Sequence, residues 1–205
     1  MKEDFTYYSD SVNYIAGTDE AGRGPLAGPV VIAAVIFPKD YVNEEIDDSK
    51  KLSASKREEL YKEIIENALT YAVVFVSADE IDRSNIYKCA QLGMEKAINS
   101  LSVKPDLVLS DAMPLPRLEM KVIPLVKGDA RCQNIAAASI LAKVERDRYM
   151  DELEKKYPNY KFSSHKGYGT KEHLEELDKY GPIEGVHRKT YAPVKKFYSE
   201  QLKLF

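Results

Sequence analysis

Tryptophan is absent from this 205-residue chain and cysteine nearly so, with two. Cys89 and Cys132 cannot make a disulfide framework, and they lack the close CxxC spacing of a zinc site. They read as ordinary buried thiols in a reducing compartment, which predicts a cytoplasmic protein. Long apolar runs are missing too. The longest, residues 26–38, holds two prolines and a glycine and falls short of the ~18 residues that cross a bilayer, so no membrane partner is expected. The first eight residues have no apolar core of the kind a signal peptide needs. Repeats, low-complexity tracts and long Gly/Ser linkers are also lacking. Strong net charge is missing as well: 30 Lys+Arg stand against 33 Asp+Glu, for a net −3. As a sum, that speaks against a polyanionic partner. Its distribution does not, because residues 1–126 carry 14 basic and 21 acidic side chains and residues 127–205 carry 16 and 12. Such asymmetry permits a basic surface on an acidic protein, to be sought in the second half.

What is present suits one ordinary domain: 44% of residues are apolar, near the globular average. Residues 14–19 read as a short strand followed by a glycine-rich turn, and the β-branched run at 30–37 reads as a buried strand that could pair with it antiparallel. Ser53 reads as the N-cap of an amphipathic helix over 55–69. A strand is predicted at 71–76, a helix over 78–101, a short strand at 107–109 and another at 120–126. The clearest helix is 135–153, opening on an alanine-rich face. Thr170 opens a further short helix, and the basic, aromatic tail from Pro193 reads as helical. Strands alternating with helices predict an α/β fold with a central sheet flanked by helices.

Carboxylates recur at the ends of these strands: Asp19 and Glu20, then Asp111, then Asp129. In an open α/β sheet, neighbouring strand ends converge on one rim. Acids gathered there repel one another and raise each other's pKa, and a divalent metal relieves the repulsion. Two such ions can activate a water and stabilise a leaving oxygen in phosphodiester hydrolysis. Taken singly, an Asp after a strand is as well explained as a turn residue or helix cap. Spacing alone does not bring the four together.

The wording of the sequence is more specific. The block from Gly17 to Val30, with Asp19-Glu20-Ala21-Gly22-Arg23-Gly24, closely resembles the opening signature of the bacterial ribonuclease HII family (type 2 ribonucleases H). Further blocks follow in family order: Asp48-Ser49-Lys50-Lys51-Leu52-Ser53, Ile81-Asp82 with Asn85-Ile86, and Lys127-Gly128-Asp129-Ala130. After them come the alanine-rich helix through Lys143 and Arg146, then Gly167-Tyr168-Gly169-Thr170, and His187-Arg188. Thr18 stands where isoleucine is frequent, and Ser110-Asp111 replaces a valine-Asp pair. The resemblance implies an RNase H-like fold with a central mixed sheet, a small helical C-terminal extension, and Asp19, Glu20, Asp111 and Asp129 as catalytic ligands of Mg²⁺ or Mn²⁺. It implies hydrolysis of the RNA strand of RNA–DNA hybrids. It also implies incision of duplex DNA 5′ of a single embedded ribonucleotide, leaving a 3′-hydroxyl and a 5′-phosphate. Gly22, Arg23, Gly24 and Tyr168 would read the ribose 2′-OH, the group that distinguishes RNA from DNA. Ser49, Lys50, Ser139, Lys143 and Arg146 would contact backbone phosphates. His165, His173 and His187 make no zinc pattern and read as supporting residues.

The last residues, Gln201-Leu202-Lys203-Leu204-Phe205, resemble the peptide with which bacterial repair proteins dock on the DNA sliding clamp. Leu202, Leu204 and Phe205 would fill an apolar pocket and Gln201 would bond at its edge. Residues 1–191 are therefore expected to form the catalytic domain and 192–205 a tail, in a monomer. The rival readings are a ribonuclease HIII-like nuclease and a non-catalytic nucleic-acid or clamp-binding module. The former generally carries an extra N-terminal domain, for which the early position of Asp19 leaves no room.

Overall fold

Five strands build the sheet: β1 (Ile15–Ala21), β2 (Val30–Ile36), β3 (Thr70–Val76), β4 (Leu107–Asp111) and β5 (Lys121–Leu125). The computed structural model describes residues 2–201, with side chains through Tyr198. The strand order is β3-β2-β1-β4-β5. β1 pairs antiparallel with β2, and β2 with β3, whereas β1–β4 and β4–β5 are parallel. The sheet is mixed, and the antiparallel pair read from the sequence is present. β2, Val-Val-Ile-Ala-Ala-Val-Ile, is buried at every position. A continuous β-branched run of this kind suits a strand covered on both faces.

The helices are α1 (Ala54–Asn67), α2 (Ala78–Arg83), α3 (Ile86–Asn99), α4 (Gly128–Arg131), α5 (Gln133–Lys156), α6 (Phe162–His165), α7 (Lys171–Tyr180) and α8 (Ala192–Gln201). Ser53 caps α1 as expected, its Oγ accepting from Lys56 N–H at 3.2 Å. The helix predicted over 78–101 is two helices. Ser84 leaves helical geometry, and Asn85 begins a new helix by accepting from Lys88 N–H at 2.8 Å. A short amide side chain that caps locally competes with an unbroken ladder.

Alternation along β2 assigns the two faces. Ile32, Ala34 and Ile36 pack with Ala90, Met94 and Ile98 of α3. Val31, Ala33 and Val35 pack with Leu60 and Ile64 of α1 and the alanines of α5. A third apolar cluster, around Leu26, Met150, Phe162 and Leu177, lies beneath α6 and α7 and also takes in Val194 of α8. Among the described residues, no helix is long and apolar enough to cross a membrane.

Candidate active site

Thr18 of β1 lies opposite Ser110 of β4 in parallel register, so Asp19 and Asp111 leave adjoining strands at the same end. β4 continues through Asp111 rather than stopping at Leu109, held by its ladder with β5. Asp111 Oδ1 accepts from Gly128 N–H at 2.8 Å. That bond ties the end of β4 to α4, whose second residue is Asp129. Ala112 and Lys127, on either side of this junction, both hold left-handed backbone, with φ 51° and 56°. Strain of this kind in residues other than glycine persists only where surrounding structure imposes it.

Electrostatics join the four acids. Burial pushes the Asp19 carboxyl well up, and Glu20 and Asp111 push it further. Burial carries Glu20 up to about 7 against partial relief from Arg23, whose Nη1 lies 3.4 Å from Oε1. Asp111 is raised by burial and by Asp129, with the Gly128 N–H opposing. Lys50 Nζ stands 3.6 Å from Asp129 Oδ2. Burial works to lower that ammonium, but Asp129 and Asp19 outweigh it and hold it above its ordinary value. Among the described residues, no three metal-ligating side chains already form an ion cage, and Glu20 Oε2 is buried without a hydrogen-bond partner. A donor set of hard carboxylate oxygens, mutually repelling and with one orphaned, fits a hard divalent cation.

Beside the acids lies a pocket of about 230 Å³. Gly22, Arg23, Gly24, Ser49, Lys50, Ser139, Lys143, Arg146 and Tyr168 line it together with Glu20. Gly22 has φ +100°, and a Cβ there would sit 2.1 Å from Arg146 Nε. Only glycine meets both conditions. Tyr168 is 46% exposed, its ring edge 3.6 Å from the position a Gly24 Cβ would take. Ser49 and Ser139 share a hydroxyl hydrogen bond at 2.9 Å. A larger hollow of about 940 Å³, beside Phe5 and Arg131, holds none of these candidates.

Two arginines depart from expectation. Arg146 is buried, and its Nε, Nη1 and Nη2 donate to the carbonyls of Pro29, Lys166 and Ala27 at 3.0–3.1 Å. In this arrangement its guanidinium ties the segment leading into β2 to the loop before Tyr168 rather than being offered to a phosphate. Arg188, for which no role was expected, is fully buried. It donates to the carbonyls of Gly22 at 2.7 Å, Arg23 at 3.0 Å and Gly28 at 2.9 Å. Lys143 is in an ion pair with Asp147, which Arg57 also approaches at 3.7 Å. Part of the basic surplus after residue 127 is met by acids from the first half, in the surface pairs of Arg148 with Glu58 and Arg131 with Glu3. Leu202, Leu204, Phe205 and the side chain of Gln201 lie outside the described residues.

A five-stranded mixed sheet in this order, with helices on both faces and acids at the adjoining ends of β1 and β4, defines a nuclease of the RNase H-like fold. The family model described as ribonuclease HII matches residues 16–194, and the chain belongs to this family of metal-dependent endoribonucleases. It is 52% identical to the ribonuclease HII of Lactobacillus acidophilus, across 90% of this chain and 73% of that one. The crystal structure of ribonuclease H2 from Pyrococcus horikoshii superposes with a TM-score of 0.79 at 30% identity, over 93% of this chain and 99% of that one. The ribonuclease HII of Archaeoglobus fulgidus, solved in complex with PCNA, superposes with a TM-score of 0.73 at 30% identity, over 87% and 95%.

Proposed function

We propose that this chain hydrolyses the RNA strand of RNA–DNA hybrids and incises duplex DNA on the 5′ side of a single embedded ribonucleotide, leaving a 3′-hydroxyl and a 5′-phosphate. The observation that carries this reading is the shared pocket: the Gly22–Gly24 backbone, Tyr168 and the Glu20 carboxylate line one cavity. Glycine backbone can approach a sugar closely and bond a 2′-OH, which both donates and accepts. Asp19, Glu20, Asp111 and Asp129 would hold two divalent cations, Mg²⁺ or Mn²⁺. Bound there, the cations would supply an activated water and counter-charge for the leaving oxygen. Tyr168 stacks on the sugar after the ribonucleotide and favours deoxyribose there. Lys50, close to Asp129, and the hydroxyls of Ser49 and Ser139 steady the backbone phosphates.

The test is a DNA duplex with one ribonucleotide, incubated with and without Mg²⁺ or Mn²⁺ and the cut mapped. Cleavage 5′ of the ribonucleotide, only with metal, is expected. Tyr168→Ala is expected to slow this incision about tenfold or more, by the scale on which misplacing a bound substrate costs rate. An unchanged rate removes Tyr168 from recognition.

The setting we infer is cytoplasmic ribonucleotide repair by a monomer, with 1–191 as the catalytic domain. The tail from residue 192 carries the clamp-docking peptide Gln201, Leu202, Leu204 and Phe205. The complex of the Archaeoglobus enzyme with PCNA supports that partner class. Deleting residues 201–205 is expected to abolish co-elution with the sliding clamp while basal cleavage stays within twofold, about 0.4 kcal/mol. Retained co-elution rejects the tail as the contact.

A further inference from the structure

Behind Tyr168 the chain buries its three histidines together. His165 and His173 stack at 4.2 Å and 9°, and His173 meets His187 Nε2 to Nε2 at 3.1 Å. The backbone fixes which nitrogen carries each proton, because an amide N–H can only donate. Ile183 N–H donates to His187 Nδ1 at 2.9 Å, so neutral His187 carries its proton on Nε2. The bond between the rings therefore runs from His187 to His173, and the proton of His173 is left on Nδ1. That Nδ1–H donates to the Tyr168 carbonyl at 2.9 Å. By the same rule His165 accepts from Gly167 N–H at 3.1 Å and gives its Nε2–H to Glu176 at 3.0 Å. Burial, then the neighbouring His165, holds His173 down at about 4, while burial, then His173, holds His187 at about 3. Both are neutral near pH 7, as the chain of bonds requires.

His187 is followed directly by Arg188, which grips the carbonyls of Gly22 and Arg23. The segment between the two loops is stitched in place by Arg188 N–H to Leu26 and Leu26 N–H to Gly167, both at 2.8 Å. One two-residue unit thus holds the Gly-Arg-Gly turn through its arginine and the Tyr168 loop through its histidine.

We propose that His187 and His173 are positioning residues for substrate selection, their one-way series of N–H donors fixing Tyr168 against the Gly-Arg-Gly turn so that both read one ribose-to-deoxyribose junction. This rests on the assignment of Tyr168 to that junction. A core that only had to be filled would be served by apolar side chains. A directed polar series specifies one arrangement of its members.

Two measurements test it. Long-range ¹H–¹⁵N correlation on the full chain at pH 7 is expected to show His173 as the Nδ1–H tautomer and His165 and His187 as Nε2–H. His173 found as Nε2–H or as imidazolium overturns the proposal, whatever becomes of any variant. In kinetics, His173→Leu is expected to lower kcat/KM on the single-ribonucleotide duplex about tenfold more than on a uniform RNA–DNA hybrid. His173→Asn, whose amide can replace the Nδ1 donor, is expected to bring the ratio of the two back to within about threefold of native. Equal losses on both substrates, the mark of packing alone, overturn it. Tyr168→Ala separates the layers. An unchanged ratio there overturns the Tyr168 assignment and the proposal with it. A changed ratio there with none in His173→Leu overturns the histidine series alone.

Discussion

Asp19→Asn is expected to abolish cleavage and to make the metal-free protein more stable. The residue is 4% exposed, near the end of β1. Burial first, then Glu20 and Asp111, lift its carboxyl well above the ordinary range. As a proposed ligand, it would supply negative charge that gathers the cations. Its loss removes several kcal/mol of transition-state stabilisation, which at 1.36 kcal/mol per tenfold is about 10³-fold or more in rate. For stability the sign reverses. A carboxyl whose folded pKa is raised opposes folding once the pH exceeds its unfolded value, because ionisation then favours the unfolded chain. Asparagine keeps the shape without that charge. In EDTA, the variant is expected to unfold above the wild type at pH 8, and the gap should close as the pH falls toward 4. Thermal unfolding at both pH values, with cleavage assays in Mg²⁺ and Mn²⁺, checks both halves. A variant that still cuts within tenfold of wild type, or that is the less stable form at pH 8, contradicts the reading. Functional sites store unfavourable charge in this way, and relieving it trades activity for stability.

The acids stood out by residue type at strand ends, Tyr168 and the Gly22–Gly24 turn were singled out as site residues by the resemblance to ribonuclease HII, and long periodic segments such as β2 and α5 gave themselves away by pattern. The convergence of the acids could not be read that way. It comes from the parallel pairing of β1 with β4, which joins segments nearly a hundred residues apart in sequence and leaves no local trace. β4 reads short because serine and aspartate are poor strand formers. Ser110 nonetheless stays in the ladder, with its hydroxyl donating to the Met113 carbonyl. α4 is one turn, Gly-Asp-Ala-Arg, too short for any helical period to show. The arginines mislead for a physical reason. Charged residues are almost never fully buried, so Arg146 in a helix pattern reads as a surface cation. Its burial depends on carbonyls of Ala27 and Pro29, over a hundred positions away. Arg188 depends in the same way on Gly22 and Gly28. Arg188 holds the backbone of the turn and Arg146 the segment that follows it, roles that residue type alone does not disclose.

A second nonlocal contact, of α5 on β1, yields the other large effect, at Gly17. α5 lies on β1 so closely that a Cβ on Gly17 would stand 2.1 Å from the Asn134 carbonyl carbon and 2.3 Å from Ile135 N. Asn134 Nδ2 also donates to the Ile15 carbonyl at 2.6 Å, pinning the helix start to the strand. The three nearest atoms a new methyl would meet are all main chain, so no rotamer change can make room. Either the first turn of α5 lifts or β1 bends, two residues before Asp19. Overpacking that cannot relax costs about 3 kcal/mol or more, or roughly 10 °C in Tm at this chain length. Gly93→Ala is the control. There the methyl would meet Ile32 Cδ1 at 2.5 Å, the far end of a side chain, and alanine favours helix over glycine by about 1 kcal/mol. Gly93→Ala is therefore expected to stay within a few degrees of wild type, and Gly17→Ala to fall well below it. Calorimetry of the two variants settles the point. If Gly17→Ala melts as high as Gly93→Ala, helix and strand do not touch through their backbones, and α5 sits less tightly on β1 than these distances require.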